Sequence, residues 1–257
     1  MPPSAFKFVP FKFSQICGLN RFNKEKFNRK VRRNKLLIEV LNAKPDTIFI
    51  ESCYSATYWA RLFQSHGFEV RLIPPQHVKA FVKGNKNDRH DALAIAEAGL
   101  RPNVHYVPVK TEEQQEIQIL HKIRARYVRE RTSITNQIRG FLSDYGVIIH
   151  QGHAKLKKAL PLIIEDASNS LTHKIREYLN HMHQEMLEKT EQIKTIEYEI
   201  EQLSKQQKEY DHLIELPGVG LLTASAVVAK IGDAKQFDSA RGMAACLARI
   251  FHNISLK

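Results

Sequence analysis

The sequence predicts an α/β domain, then a long helical and coiled-coil region, then a partial helix-hairpin-helix domain, with boundaries at about 1–108, 109–210 and 211–257. Three observations predict it. Residues 47–99 alternate strand-like and helix-like runs, a pattern that favours a parallel sheet. Residues 175–210 place apolar side chains at alternating steps of four and three. Residues 216–220 read L-P-G-V-G ahead of a run of small residues.

In the first domain, T-I-F-I-E-S at 47–52 is β-branched and aromatic, as a buried strand requires. A helix is expected over Ala56–His66, with Gly67 just past its end. A second strand follows at Phe68–Ile73, stopped by Pro74 and Pro75. Asp88–Gly99 reads as a second helix with Ala92, Ile95 and Ala96 on one face. A further strand is expected around Phe11–Cys17.

After Pro108 the period changes. Thr111 and Gln114 have the spacing of a capping box opening a long helix. Its seam is Ile117, Leu120, Tyr127, Ile134, Ile138, Phe141 and Tyr145, with Arg124 and Arg131 in two seam positions. Gly146, Gly152 and Pro161 are expected to break it. A second long helix over about 172–210 carries Ile175, Leu179, Met182, Met186, Ile193, Ile196, Ile200, Leu203 and Tyr210. That seam pairs either with a second copy of the chain or with the first long helix. The glycines of Gly218-Val219-Gly220 would let a backbone phosphate approach the next helix's N–H groups; an ordinary helical turn has the same sequence.

The 257 residues hold 39 Lys and Arg against 27 Asp and Glu, a net charge of +12. Hydrophobic residues at 43% exclude a disordered chain. Three scattered cysteines give neither a disulfide framework nor a zinc pattern, which suits a reducing cytoplasm. No run is apolar and long enough to span a bilayer, and Lys7 and Lys12 interrupt any signal-like N-terminus. Residues 1–44 hold eleven Lys and Arg and two acids; residues 118–143 hold six and one. Clustering of this kind marks contact with nucleic-acid phosphates, or else a solvated face.

Three acids stand out. Glu51 closes its strand, and ligands in open α/β sheets gather at the carboxyl ends of strands. Asp88 and Asp91 share a helix face, with Cβ atoms roughly 5–6 Å apart. Such carboxylates suit a hard cation such as Mg²⁺. Two ions about 3.5–4 Å apart could clamp the attacking and leaving oxygens of a phosphodiester. The aspartates also fit a helix cap with a favourable first-turn acid. His150 with His153, and His181 with His183, read as surface histidines, because neither pair has the four converging ligands zinc needs. Trp59 reads as core.

The runs I-E-S-C-Y-S-A-T-Y-W-A-R at 50–61, P-P-Q-H-V-K-A-F-V-K-G-N-K-N-D-R-H-D-A at 74–92, R-P-N-V-H-Y-V-P-V-K at 101–110 and R-T-S-I-T-N-Q-I-R-G at 131–140 resemble transposases of the insertion-sequence 110 family. L-P-G-V-G-L-L-T-A at 216–224 resembles the start of that family's second domain. The resemblance covers about residues 15–247. It implies a ribonuclease-H-like (RuvC-like) domain with a D-E-D-D acid set, a coiled coil, and a C-terminal domain with a nucleophilic serine. It implies DNA as partner, a guide RNA encoded by the element, pairing of copies through the coiled coil, and Mg²⁺ as cofactor. On it, Glu51, Asp88 and Asp91 are the catalytic, metal-holding acids, and Arg124, Arg131, Arg139, Gly218 and Gly220 contact nucleic acid.

The sequence departs from the family pattern twice. The first aspartate belongs to an I-D-x-A-K strand ahead of F-Q-x-x-G. Here F-S-Q-I-C-G at 13–18 resembles the end of that strand, and counting back puts Phe8 in the aspartate's place. After R-G-M-A-A-C-L-A at 241–248 the serine-bearing segment does not follow, and Ser255 lacks its context and is not assigned as nucleophile. Both ends resemble a truncated or frameshifted gene copy. Two functions are therefore expected: a transposase that cleaves and rejoins DNA with metal ions, or an inactive remnant that only binds nucleic acid.

Overall fold

A computed structural model describes residues 4–8, 13–20, 22–82, 87–102, 104–231, 237 and 239–254, with backbone alone for 4–8, 246 and 249–254. Two compact units divide at Lys110 and Thr111.

The first unit is built on a five-stranded sheet of order β3-β2-β1-β4-β5. The strands are β1 (Ser4–Phe8), β2 (Phe13–Leu19), β3 (Glu25–Arg32), β4 (Thr47–Glu51) and β5 (Glu69–Ile73). The expected parallel sheet is found only in part. β1, β4 and β5 are parallel, whereas β2 is antiparallel to both β1 and β3. Connection length is the reason: four residues separate β1 from β2 and five separate β2 from β3, and a parallel crossover needs a dozen or more. The strand expected around Phe11–Cys17 is β2.

Helices cover both faces. On one, α1 (Leu36–Ala43) and α2 (Ala56–Ser65) pack Leu36, Val40, Trp59, Ala60 and Phe63 against Ile16, Ile48 and Ile50. On the other, α3 (Pro75–Lys79) and α4 (Asp88–Gly99) pack Val78, Ala92, Ile95, Ala96 and Ala98 against Cys17, Leu19 and Phe49. Because both faces are buried, β4 is apolar at consecutive positions. Gly67, at φ +83°, ends α2 as expected. Gly99 permits the close seating of α4, since a Cβ there would stand 2.4 Å from the Phe49 ring. β3 is an outer strand and exposes Lys26, Arg29, Lys30 and Arg32.

The second unit is helical: α5 (Glu112–Asp144), α6 (His153–Glu165), α7 (His173–Ser204), α8 (Lys208–Ile214), α9 (Leu221–Ile231) and α10 (Ala240–Ile254). The capping box is complete, with Thr111 Oγ1 accepting from the Gln114 N–H and Gln114 Oε1 accepting from the Thr111 N–H, both at 3.2 Å. α7 folds back antiparallel on α5, so Leu179 and Met186 meet Ile134, Ile138 and Leu142, while Ile196 and Ile200 meet Ile117. The seam of α7 is thus filled within the chain.

Four expectations change here. Leu142 is buried and Phe141 is 42% exposed, because a straight helix drifts about 20° per heptad against a 3.5-residue repeat. The helix expected over 172–210 stops at Ser204, and Tyr210 lies on α8, where it packs on Ala224 and Val228. Pro161 sits inside α6 instead of breaking it. A proline there leaves the carbonyl four residues back, on Lys157, without its helical donor. His183 hydrogen-bonds that Lys157 backbone, which accounts for the fourth change: His183 is buried at 8% exposure, not a surface residue.

Candidate functional site

Glu51 is the last residue of β4 and is half-buried. β1 runs parallel beside it, with Phe6 opposite Ile50, so β1 and β4 end on the same side of the sheet. Phe8 is the last residue of β1 and is described by its backbone only. Ser255 lies outside the described residues.

Asp88 and Asp91 open α4, with Asp88 half-buried and Asp91 buried. Neither is the cap. Asn87 Oδ1 accepts from the His90 N–H at 2.8 Å and fills that place. The first turn of α4 is pinned to β3: Asn28 Nδ2 donates to the Arg89 carbonyl at 3.0 Å, and Arg89 Nη2 lies 2.6 Å from Glu25 Oε1. Two strands, β2 and β1, stand between β3 and β4, a span of about 14 Å at the usual strand spacing. Among the described residues, no three of His, Cys, Asp and Glu are grouped so that they could hold a metal ion. The donor chemistry is that of a hard-cation site, but this arrangement does not fit one. The gap is spanned by β1, where the sequence places Phe8.

The basic residues sort by face. Arg124 Nε donates to Glu197 Oε1 at 2.7 Å, and the two side chains are 18% and 35% exposed. Arg131 is half-buried, and burial lowers its pKa, with Arg124 adding and Glu197 opposing. Arg139 Nη2 donates to the Gly152 carbonyl at 2.8 Å. Lys122, Arg126 and Arg129 are exposed on the outer face of α5. Sequence reasoning singled out the seam arginines, although their seam positions already pointed inward; the residues between them face water.

Sequence reasoning also missed the polar attachment of α9 to α5. Gln118 Nε2 donates to the Ala229 carbonyl at 2.6 Å, and Gln114 Nε2 to the Val228 carbonyl at 3.5 Å. One turn further on, His121 Nε2 lies 3.0 Å from Ser225 Oγ. Burial, with Arg124 adding, pushes the His121 pKa down to about 4. The signal was Gln114, Gln118 and His121 on one helix face.

Between α8 and α9, Gly218 takes φ +82°, which a side chain rarely tolerates. Gly220 accepts from the Thr223 and Ala224 N–H groups, each at 3.0 Å, so it starts α9. A Cβ at either glycine would meet nothing within 4 Å, so the turn is open to approach.

Comparison with known proteins adds the family. A model described as Transposase matches residues 15–147, and one described as Transposase IS116/IS110/IS902 family matches residues 210–249. The transposase for insertion sequence element IS1111A of Coxiella burnetii is 39% identical over 236 residues, covering 92% of this chain and 65% of the relative. The transposase for IS1328 of Yersinia enterocolitica is 36% identical over 217 residues, covering 84% of this chain and 64% of the relative. The chain therefore spans just under two thirds of the length of these relatives. The first match begins at Gln15, after β1, and includes the strand of Glu51 and the helix of Asp88 and Asp91. That model's domain is RuvC-like and its enzymes are metal-dependent, which agrees with the mixed sheet of the first unit. With both segments matched in order and close to two fifths identity over nine tenths of its length, the chain belongs to the IS110 family of transposases.

Proposed function

We propose that this chain acts in the transposition of an insertion sequence: it binds DNA, and its reaction is the cleavage and rejoining of DNA strands. The observation that carries this is the family match over the sheet unit and over the α8–α9 turn, in chain order. On this reading Glu51, Asp88 and Asp91 are the acids on which cutting depends, and they would have to be drawn together from their present arrangement to hold the cation, Mg²⁺. Arg124, Arg131, Arg139, Gly218 and Gly220 serve the nucleic-acid face, joined by the exposed Lys122, Arg126 and Arg129 of α5. A guide RNA is a further partner on this reading. Copies pair through the outer faces of α5 and α7, since the inner faces meet within one chain. The setting is the cytoplasm; no helix among the described residues is long and apolar enough to cross a membrane.

A second reading has its own support. Phe8 in place of an acid, and three acids not gathered around an ion, favour a chain that binds nucleic acid without cutting it.

One assay separates the two. The chain is incubated with DNA carrying the ends of the element, with Mg²⁺ or Mn²⁺, and products are resolved on a denaturing gel. Nicked or joined strands that disappear in Glu51→Gln and Asp91→Asn establish the transposase. Retained binding without products selects the second reading. Affinity that does not fall with salt removes both, because phosphate contacts release counterions.

A further inference from the structure

We propose that Arg131, Arg139, His153 and Lys157, where α5 meets the amino end of α6, form a binding site for one phosphate group of a nucleic-acid backbone. This rests on the nucleic-acid-binding reading above and gives it a located contact that includes two residues, His153 and Lys157, outside the sequence-derived set.

The geometry begins with helix spacing. Arg131, Thr135 and Arg139 are four residues apart along one face of α5, and His153 and Lys157 are four apart on α6. Arg139 ties the two helices together by donating through Nη2 to the carbonyl of Gly152, the cap residue of α6. That cap carries no side-chain acceptor, so the first N–H groups of α6 and the positive end of its dipole add to the cations.

Partners are missing in a telling way. Among the described residues, Arg124 and Arg126 of α5 and Lys189 of α7 are each in an ion pair, and Arg131, Arg139 and Lys157 are not. Arg139 Nε and His153 Nδ1 are also buried without a hydrogen-bond partner. Buried polar atoms are nearly always satisfied, so both side chains gain by turning outward to meet an acceptor from outside the chain.

The proton inventory at His153 makes the site specific. The Thr190 hydroxyl has one proton, and it goes to the Met186 carbonyl at 2.9 Å. His153 Nε2, 3.2 Å from Thr190 Oγ1, is therefore the donor of that pair. Neutral His153 then has a bare lone pair at Nδ1. A phosphate oxygen there requires Nδ1 to take up a proton, so anion binding carries a proton with it. Without the anion, burial and then Arg131, Lys157 and Arg139 lower the His153 pKa. Of the charged groups around it, α5 supplies Arg131 and Arg139, and α6 supplies Lys157. From α7, Glu191 acts on Lys157 but is held by Lys194 at 2.8 Å, and Glu197, near Arg131, is held by Arg124. A bound phosphate would neutralise the remaining excess charge.

The test uses the full chain, with duplex DNA, structured RNA and inorganic phosphate as probes. Lys157 and its neighbour Lys158 are both exposed, so Lys157→Gln and Lys158→Gln are matched in charge and fold alike. Lys157→Gln should weaken polymer binding about tenfold and lower the salt slope by about one, while Lys158→Gln changes affinity less than about twofold. Binding should also be tighter at about pH 6 than at about pH 8, and His153→Gln should reduce that difference. Equal effects of the two lysine variants, with polymer binding intact, overturn the site and leave the functional reading standing. Inorganic phosphate shifting the His153 imidazole resonances, with neither polymer bound, supports the phosphate site and overturns that reading. No response to any probe overturns both.

Discussion

The sheet unit and the helical unit keep their charges in different places. In the sheet unit the two packed faces are largely apolar, and charge lies at element ends and the outer edge: Glu51 at a strand end, Asp88 and the buried Asp91 in the first turn of α4, four cations along β3. The helical unit carries polar groups into its interfaces, with Arg124 on Glu197, Lys189 on Glu130, His121 on Ser225 and His183 against the α6 backbone. The difference teaches that a count of basic residues is a poor guide to phosphate contact where the cations serve helix packing.

Hydrogen exchange, which reads each unit separately, can sharpen the contrast. The largest effect is expected from Phe63→Ala, which empties a fully buried position in the sheet unit and should cost it about 3–5 kcal/mol. Next is acid. His121 stays neutral when folded down to about pH 4 and has a reference value of 6.5 when unfolded. Its contribution is therefore complete above about pH 6.5 and is lost as the pH falls toward 4, on the order of 2–3 kcal/mol from the helical unit. His121→Gln should flatten that dependence; an unchanged acid response would break the comparison. A third change, Gly99→Ala, forces a Cβ against the Phe49 ring and should destabilise the sheet unit by about 1–3 kcal/mol, seen as a lower midpoint in urea. The smallest effect is expected from the double change Arg124→Met with Glu197→Met, since apolar side chains of similar length then replace the whole ion pair at nearly no net cost, about 1 kcal/mol or less. If that variant loses DNA binding while its melting point holds, Arg124 is a contact as well as a strut.

Much of this fold was legible because local chemistry and final structure agree. The capping box at Thr111, the strand at 47–51 and the end of α2 at Gly67 depend on neighbours in sequence. What failed depends on residues far apart. The direction of β2 follows from the shortness of the links on either side of it, which sequence alternation does not weigh. The stop at Ser204 reflects Tyr210 turning onto α9. Pro161 survives in α6 because His183, from another helix, takes up the backbone it disturbs. At the candidate site the sequence offers Glu51, Asp88 and Asp91 as candidates, but it does not show that β2 and β1 stand between β3, which holds the start of α4, and the strand of Glu51, since that is set by the sheet order and by the Arg89–Glu25 contact.

The outer strand β3 has one further consequence. Its free backbone N–H and C=O groups would otherwise invite another chain to add on, as in cross-β growth. Lys26, Arg29, Lys30 and Arg32 guard that border, because a second molecule approaching it meets its own like charges. Protection of this kind is electrostatic, so concentrated salt should weaken it, and preparations held at high ionic strength should accrete first along this strand.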